Sequence, residues 1–280
     1  MNIPACRSAE GFHETPLVLF SALTITGAGL LAGHFAAWAL GLTAFTPKRC
    51  TAGVATILLA AGLLLSLLHL GRPARLVYVL RRVGRSPLST EVILALLTTL
   101  SAAAAQLLPF RQTASALLWG LAAAASPGLL LALGWVYRLP GQLSWRGAVA
   151  LSPLLLGLAT GFLAHASSAE ENARFMSAAF ALLAADATAF AMRWKVMKRD
   201  SAPGQPVHPA LFSVRRRILI LRLMDVTLLP AFFMLAQAPM VALFVLAFGI
   251  FFDRFAFYAL AIRETTEAEI ARVEHFLSSR

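Results

Sequence analysis

Apolar runs long enough to cross a lipid bilayer recur along the chain, and they constrain its fold more than any other feature. A helix rises 1.5 Å per residue, so about 20 apolar residues span a hydrocarbon layer of about 30 Å. The runs lack strand-like alternation, and lipid leaves no water to satisfy an open backbone, so helices are the spanning elements. We predict about eight spans, at residues 17–42, 51–71, 88–108, 114–136, 148–165, 174–194, 218–236 and 240–262.

Composition agrees with this fold class. Hydrophobic residues make up 59% of the 280 residues, charged residues only 13%, and the mean hydropathy is +0.75, which excludes an ordinary soluble domain. We therefore expect an all-α integral membrane protein whose residues 1–262 form one transmembrane bundle. Residues 263–280 read as an amphipathic surface tail, in which Thr266 and Glu269 form a possible capping box before an apolar stripe of Ile270, Val273 and Leu277.

The basic residues are distributed unequally between the two membrane faces. The chain has 24 Lys and Arg against 13 Asp and Glu, a net charge of +11. We call the face that holds both termini face A and the opposite one face B. Face A carries 18 of the Lys and Arg residues and face B four, which predicts cytoplasmic termini by the positive-inside rule. An acidic partner docked on face A would explain the same asymmetry. Anionic lipid is a further counterpart, whereas no nucleic-acid recognition module is evident.

Ionisable residues at membrane depth gather toward face A. Such groups are costly in lipid, so each is a functional hypothesis. They come from five segments: His13 and Glu14 before the first span, His69 at the end of the second with Arg72 and Arg75 after it, Glu91 at the start of the third, Arg222 and Asp225 in the seventh, and Asp253, Arg254 and Tyr258 in the eighth. A quinone needs an apolar slot, donors at its carbonyl oxygens and groups that exchange protons. The pattern therefore predicts a quinone site at face A.

Several of these residues also have structural interpretations. Arg222 and Asp225 are three residues apart, which favours a structural ion pair, and Asp186 is expected to bond a neighbouring helix. His34 and His165 lie toward face B on different spans, where two imidazoles could ligate a haem b; bonding between helices is the favoured alternative.

The cysteines indicate that this chain carries no iron–sulfur cluster of its own. Cys6 and Cys50 flank the first span on opposite faces, too far apart for a disulfide, and neither belongs to a CxxC pair. Clusters need several thiolates, so we expect none here, and we predict no metal site.

Residues 67–91, LLHLGRPARLVYVLRRVGRSPLSTE, resemble the signature of the membrane anchor subunit of the dimethyl sulfoxide reductase family. HETPL at 13–17, YRLPGQLSW at 137–145, and Arg254 with Phe257-Tyr258 resemble further parts of that family. Ile250 stands where the family has an acidic residue before its last-span Arg, and here Asp253 adjoins Arg254 instead.

The resemblance implies an eight-helix anchor without haem in the bacterial inner membrane, bound to an iron–sulfur subunit and through it to a molybdopterin catalytic subunit. Quinone or quinol would react in the anchor. Similar anchors serve cytoplasmic sulfite-oxidising complexes, which suits the basic face A. By this resemblance His69 binds a quinone oxygen. From their chemistry and their placement at face A, we expect Arg72, Arg75 and Tyr258 to support binding. The proton path or the surroundings of the site are expected to consist of His13, Glu14, Glu91, Asp253 and Arg254. A secondary transporter and a purely structural anchor remain the rival functions.

Overall fold

The protein is an all-α membrane bundle with eight apolar helices in the described part of the chain. The structure, a computed structural model, describes residues 15–44, 49–69, 81, 86–107, 112–136, 150–168, 172–199 and 217–259. For residues 68–69, 112, 193–199 and 258–259 the description covers the backbone alone. The predicted surface tail, 263–280, lies outside these residues, as does Cys6, whereas Cys50 is an exposed free thiol.

Seven of the eight predicted spans are confirmed, with boundaries that differ by a few residues, and the fifth is shorter than predicted. Seven helices are long and apolar enough to cross a membrane, and one shorter apolar helix, α5, has 15 residues. A proline in its first turn, Pro153, begins α5 at Ser152 rather than at residue 148. In chain order the helices are α1 Thr15–Ala39, α2 Arg49–His69, α3 Pro87–Leu107, α4 Gln112–Val136, α5 Ser152–Ala166, α6 Asn172–Arg199, α7 Arg217–Leu235 and α8 Pro239–Ala259.

Consecutive helices run in opposite directions, which places alternate helix ends at face A. The Gln106 side chain near the end of α3 donates a hydrogen bond to the Arg49 carbonyl at the start of α2, at 3.3 Å. Ser115 near the start of α4 donates to the Ala105 carbonyl near the end of α3, at 3.1 Å. The starts of α3, α5 and α7 therefore share face A with the ends of α2, α4, α6 and α8.

Helix α1 is the centre of the bundle, and glycines let α5 approach it closely. Of its most apolar 18-residue stretch, 72% is buried, and the helix packs on α2, α4, α5 and α8. A Cβ atom added to Gly29 would lie 2.5 Å from the Gly157 carbonyl oxygen, and one added to Gly33 would lie 2.5 Å from the Gly161 Cα. Each helix thus presents a pair of glycines four residues apart, the spacing that permits backbone contact between membrane helices. Because the paired numbers rise together, α1 and α5 run parallel.

Helix α4 contains Pro127, whose missing N–H leaves the carbonyl of Ala123 without its usual helical donor. The Ser126 hydroxyl lies 3.0 Å from that carbonyl oxygen and 2.7 Å from the one of Ala122. Neighbouring hydroxyls commonly satisfy backbone groups that a proline frees in a membrane helix. Ser126 therefore allows α4 to continue past the proline to face A.

Helix α7 contains one π-helical turn, Met224–Leu228, which begins two residues after Arg222. Gly249 of α8 packs on this turn: a Cβ atom added there would lie 2.6 Å from the Asp225 carbonyl oxygen. A π-turn holds more residues than an α-turn, so it rotates the following side chains relative to a regular helix. The angular position of Asp225 therefore departs from the spacing that the sequence suggests.

Candidate functional site

Five buried polar residues form one hydrogen-bonded network in the second half of the bundle, which we call the charge cluster: Ser152, Asp186, Arg222, Asp253 and Arg254. Arg222 is its hub, with only 3% of its surface exposed. Its Nε donates to Asp253 Oδ1 at 2.6 Å, and its Nη2 donates to Asp186 Oδ2 at 2.8 Å. The cluster thus connects α6 and α8 to α7.

Further contacts complete the charge cluster. The Ser152 hydroxyl donates to Asp186 Oδ1 at 2.6 Å and accepts from Arg222 Nη2 at 3.2 Å. Arg254 Nε donates to Asp253 Oδ2 at 2.9 Å. Two guanidinium groups therefore balance two carboxylates. Two aromatic rings lie against the guanidinium groups, those of Phe190 on Arg222 and Phe257 on Arg254. Arg222 Nη1 is a fully buried atom of this network without a hydrogen-bond partner among the described residues.

The ion pair predicted between Arg222 and Asp225 is wrong. Arg222 pairs instead with carboxylates of α6 and α8, and the structure gives no bond between it and Asp225 among the described residues. Arg222 points into the bundle, whereas Asp225 is only partly buried and belongs to the π-turn. The bond predicted between Asp186 and a neighbouring helix is confirmed. Asp186 and Ser152 are cluster members whose partners could not be assigned from spacing along one helix.

Glu91 is buried at the start of α3, but unlike the carboxylates of the charge cluster it is not paired with a described residue. Only 2% of its surface is exposed. Among the described residues no hydrogen bond or ion pair reaches its carboxyl group, and none joins it to the charge cluster. Ser89 and Ala95 are buried on the same helix, so Glu91 belongs to its inward face. A buried polar group without a partner is costly, which makes it a candidate for chemistry.

A cleft between α3 and α4 lies beside Glu91 at face A. Its volume is about 420 Å³. Pro87 and Leu94 line it, four residues before and three residues after Glu91, so their Cβ atoms lie about 5–6 Å from that of Glu91. The cleft is polar near face A and apolar deeper in the bundle; its full lining is Ser86, Pro87, Thr90, Leu94, Gly128, Leu131, Ala132 and Trp135.

His34 and His165 contact each other between α1 and α5, toward face B. The Nδ1 of His34 lies 3.1 Å from the Nε2 of His165, and the stacked rings have centroids 5.1 Å apart. Two metal–nitrogen bonds of about 2 Å would hold facing nitrogens about 4 Å apart. The observed pair therefore has no room for an iron between these nitrogens, and the arrangement does not fit a haem ligated by both. The ring of Phe175 stacks on His165 from α6.

A comparison with known families finds a match in the N-terminal part of the chain, which contains Glu91. Residues 8–125 match the family model of the DMSO reductase anchor subunit (DmsC). The chain is similar to the anchor subunits of DMSO reductase. The resemblance inferred from the motifs at 13–17 and 67–91 is thereby confirmed. The matched region covers α1 to α3, half of α4 and the α3 side of the cleft, whereas the α4 side of the cleft lies beyond it. No curated protein matches the chain.

The DMSO reductase anchor match separates the predicted site residues into two groups. Glu91 falls inside the matched region, together with His69, Arg72, Arg75, His13 and Glu14. The backbone of His69 ends α2, which packs on α3; its side chain lies outside the described part of the structure. The other residues whose side chains lie outside the description are His13, Glu14, Arg72, Arg75 and Tyr258. The charge cluster lies beyond the match.

Proposed function

We propose that the protein is the membrane anchor of a molybdopterin and iron–sulfur oxidoreductase complex and exchanges electrons between the iron–sulfur subunit and the quinone pool. The similarity to DMSO reductase anchor subunits supports the anchoring role. One observation carries the quinone chemistry: Glu91 is a buried carboxyl without a described partner, beside a cleft of about 420 Å³ at the face where α2 ends in His69. Ligand pockets typically enclose about 300–1,000 Å³.

The residues supply what quinol oxidation or quinone reduction requires of the protein. Oxidation of a quinol releases protons as well as electrons, and reduction of a quinone consumes them. A carboxyl group can exchange one of these protons, and an imidazole such as that of His69 can bond to a quinone oxygen. The electrons would pass to or from a cluster of the partner, since this chain has only two cysteines.

We infer that the partner subunits dock on face A and that this face is cytoplasmic. Eighteen of the lysines and arginines belong to face A, which agrees both with cytoplasmic loops and with an acidic partner surface. A cytoplasmic sulfite-oxidising complex would combine the two. Proteins that co-purify with the intact chain test this arrangement: a molybdopterin subunit and a four-cluster iron–sulfur subunit without an export signal are expected.

The positions of the described charged residues do not support the alternative function of a secondary transporter. Transporters place charged residues near the membrane midplane in two related halves. Here Arg222 and Arg254 are balanced by Asp186 and Asp253 within one cluster of the second half of the bundle, and Glu91 lies in the second turn of α3.

The decisive experiment replaces Glu91 by Gln in the intact complex and measures electron exchange with a quinol analogue. We expect quinone-linked turnover to fall by about 10²-fold or more, the scale of a lost general acid or base. Electron transfer between the catalytic subunit and an artificial dye should be unchanged, because the anchor takes no part in it. His69→Ala should produce the same separation of activities.

Thr98→Val provides the matched control on the same helix. The Thr98 hydroxyl is also buried without a described partner, but it lies about two turns further from face A. Its loss should leave quinone-linked turnover unchanged. Full activity of Glu91→Gln, or equal losses in Glu91→Gln and Thr98→Val, would contradict the proposed role.

A further inference from the structure

The cleft between α3 and α4 has a polarity gradient that suits a molecule with a polar head and an apolar chain. Ser86 and Thr90 lie at its face-A end, beside Glu91. Leu94, Gly128 and Leu131 line its deeper part. Leu94 is eight positions after Ser86, which directly precedes α3, so the lining extends about 12 Å along the helix axis at 1.5 Å per residue. A headgroup at Thr90 would therefore leave several ångströms of apolar wall for a chain.

The cleft opens on the outer surface of the bundle rather than into its interior. Leu131 and Trp135 on its α4 side are 40% and 58% exposed. Large hydrophobic residues exposed on a membrane helix face lipid tails or a neighbouring membrane segment. A molecule dissolved in the bilayer could therefore enter sideways, without passing through either aqueous face.

Gly128 holds the deeper part of this cleft open. A Cβ atom added there would meet only the Leu94 side chain, at 3.7 and 3.9 Å, which is ordinary van der Waals contact. The backbone would tolerate a larger residue, because Gly128 lies within helix α4 and has no positive φ angle. Any longer side chain at this position would occupy the cleft. Gly128 is therefore important because it has no side chain, and not because of its backbone conformation.

We propose that the α3–α4 cleft is the lateral entrance of the quinone site and holds the first part of the isoprenoid tail, with Gly128 as the residue that determines whether a tail fits. The inference depends on the proposed quinone function and specifies how the substrate reaches Glu91. The ring end lies toward Thr90 and Glu91, and the tail passes Leu94 and Gly128 into lipid.

Gly128→Leu in the intact complex tests this assignment with two quinols that share one ring, one with an isoprenoid tail and one without. For the tailed quinol we expect KM to rise by about tenfold or more, the scale of a few methylene groups excluded from an apolar pocket. For the tailless quinol KM should stay within about twofold of the unmodified complex. This quinol has no chain that reaches position 128, so the leucine excludes no methylene group from the pocket. Gly128→Ala should have an intermediate effect on the tailed quinol.

Gly53→Leu is the matched control, since it makes the same change on α2 near face B. A Cβ atom at Gly53 would have one near neighbour, the Gln106 side chain at 3.6 Å, and Gly53 does not line the cleft. Both quinols should react normally with this variant. Equal effects of Gly128→Leu on both quinols, or no effect on either, would overturn the tail assignment.

A second measurement uses the unmodified complex and so does not depend on the folding of any variant. A quinone with a photoreactive group on its first isoprene unit should label α3 and α4 at residues of the cleft, and excess tailed quinone should prevent labelling. Labelling confined to other helices would overturn the proposal. If the unmodified complex reacts with neither quinol, the proposed function itself fails, which is a different result from a complex that reacts normally but ignores Gly128→Leu.

Discussion

The charge cluster of α5–α8 and the Glu91 carboxyl of α3 lie toward the same face of the bundle and are almost equally buried. In the cluster, Asp186 and Asp253 each accept hydrogen bonds from Arg222 at 2.8 Å or less. Glu91 has no such partner among the described residues. Buried charges that pair with one another compensate for their burial, whereas a buried carboxyl without a partner is costly and is therefore a candidate for chemistry. Burial alone therefore does not identify a functional carboxyl; its partners do.

Removal of Arg222, the hub of the charge cluster, should have the largest effect on stability. Arg222→Met would leave Asp186 and Asp253 buried without their main partner, and we expect a loss of about 3–5 kcal/mol in the free energy of unfolding. Thermal unfolding of the purified chain in detergent measures it. Arg217→Met is the control, since Arg217 is the exposed first residue of α7. Stability equal to that of the unmodified protein would show that the cluster is not structural.

The glycine contact between α1 and α5 joins the two regions and should have the next largest effect. A valine at Gly33 would place its Cβ atom 2.5 Å from the Gly161 Cα, so the two helices must separate. We expect a loss of about 1–3 kcal/mol from this overpacking. Gly53→Val makes the same change where there is space. The two variants should differ clearly in thermal midpoint; equal midpoints would mean that α5 can shift away from α1 without cost.

Replacement of Glu91 by Leu should have the smallest effect on stability, in contrast to the large loss expected for Arg222→Met. Removing a buried polar group that has no partner is expected to leave the free energy of unfolding unchanged or to raise it by up to about 1 kcal/mol. Quinone-linked turnover should nevertheless be lost. If Glu91→Leu destabilised the chain as much as Arg222→Met, Glu91 would have an essential partner, and its comparison with the cluster would fail.

Much of the architecture could be predicted from the amino-acid order. The second span, predicted at 51–71, is Arg49–His69, and the third, predicted at 88–108, is Pro87–Leu107. Hydropathy over about 20 residues is a property of the segment itself, so it needs no knowledge of neighbouring helices. The gathering of ionisable groups toward face A could be predicted for the same reason, because each position along a span also determines its depth.

The partners of those groups could not be predicted from spacing. Arg222 and Asp225 are three residues apart, yet Arg222 bonds to Asp186 and Asp253, which are 36 and 31 residues away. The π-turn that begins two residues after Arg222 has no clear signature in the sequence. One packing signal was available in advance: the pairs Gly29–Gly33 and Gly157–Gly161 have the spacing typical of closely packed membrane helices.

The order of residues by itself determined that the chain forms a bundle of membrane helices and that its polar groups lie toward one end. The packing of the helices determines which of those groups bond to one another, places Glu91 beside a cleft, and brings His34 and His165 into contact. The physical reason is that depth follows from position along one helix, whereas contact depends on the rotation of each helix about its axis and on its packing against its neighbours.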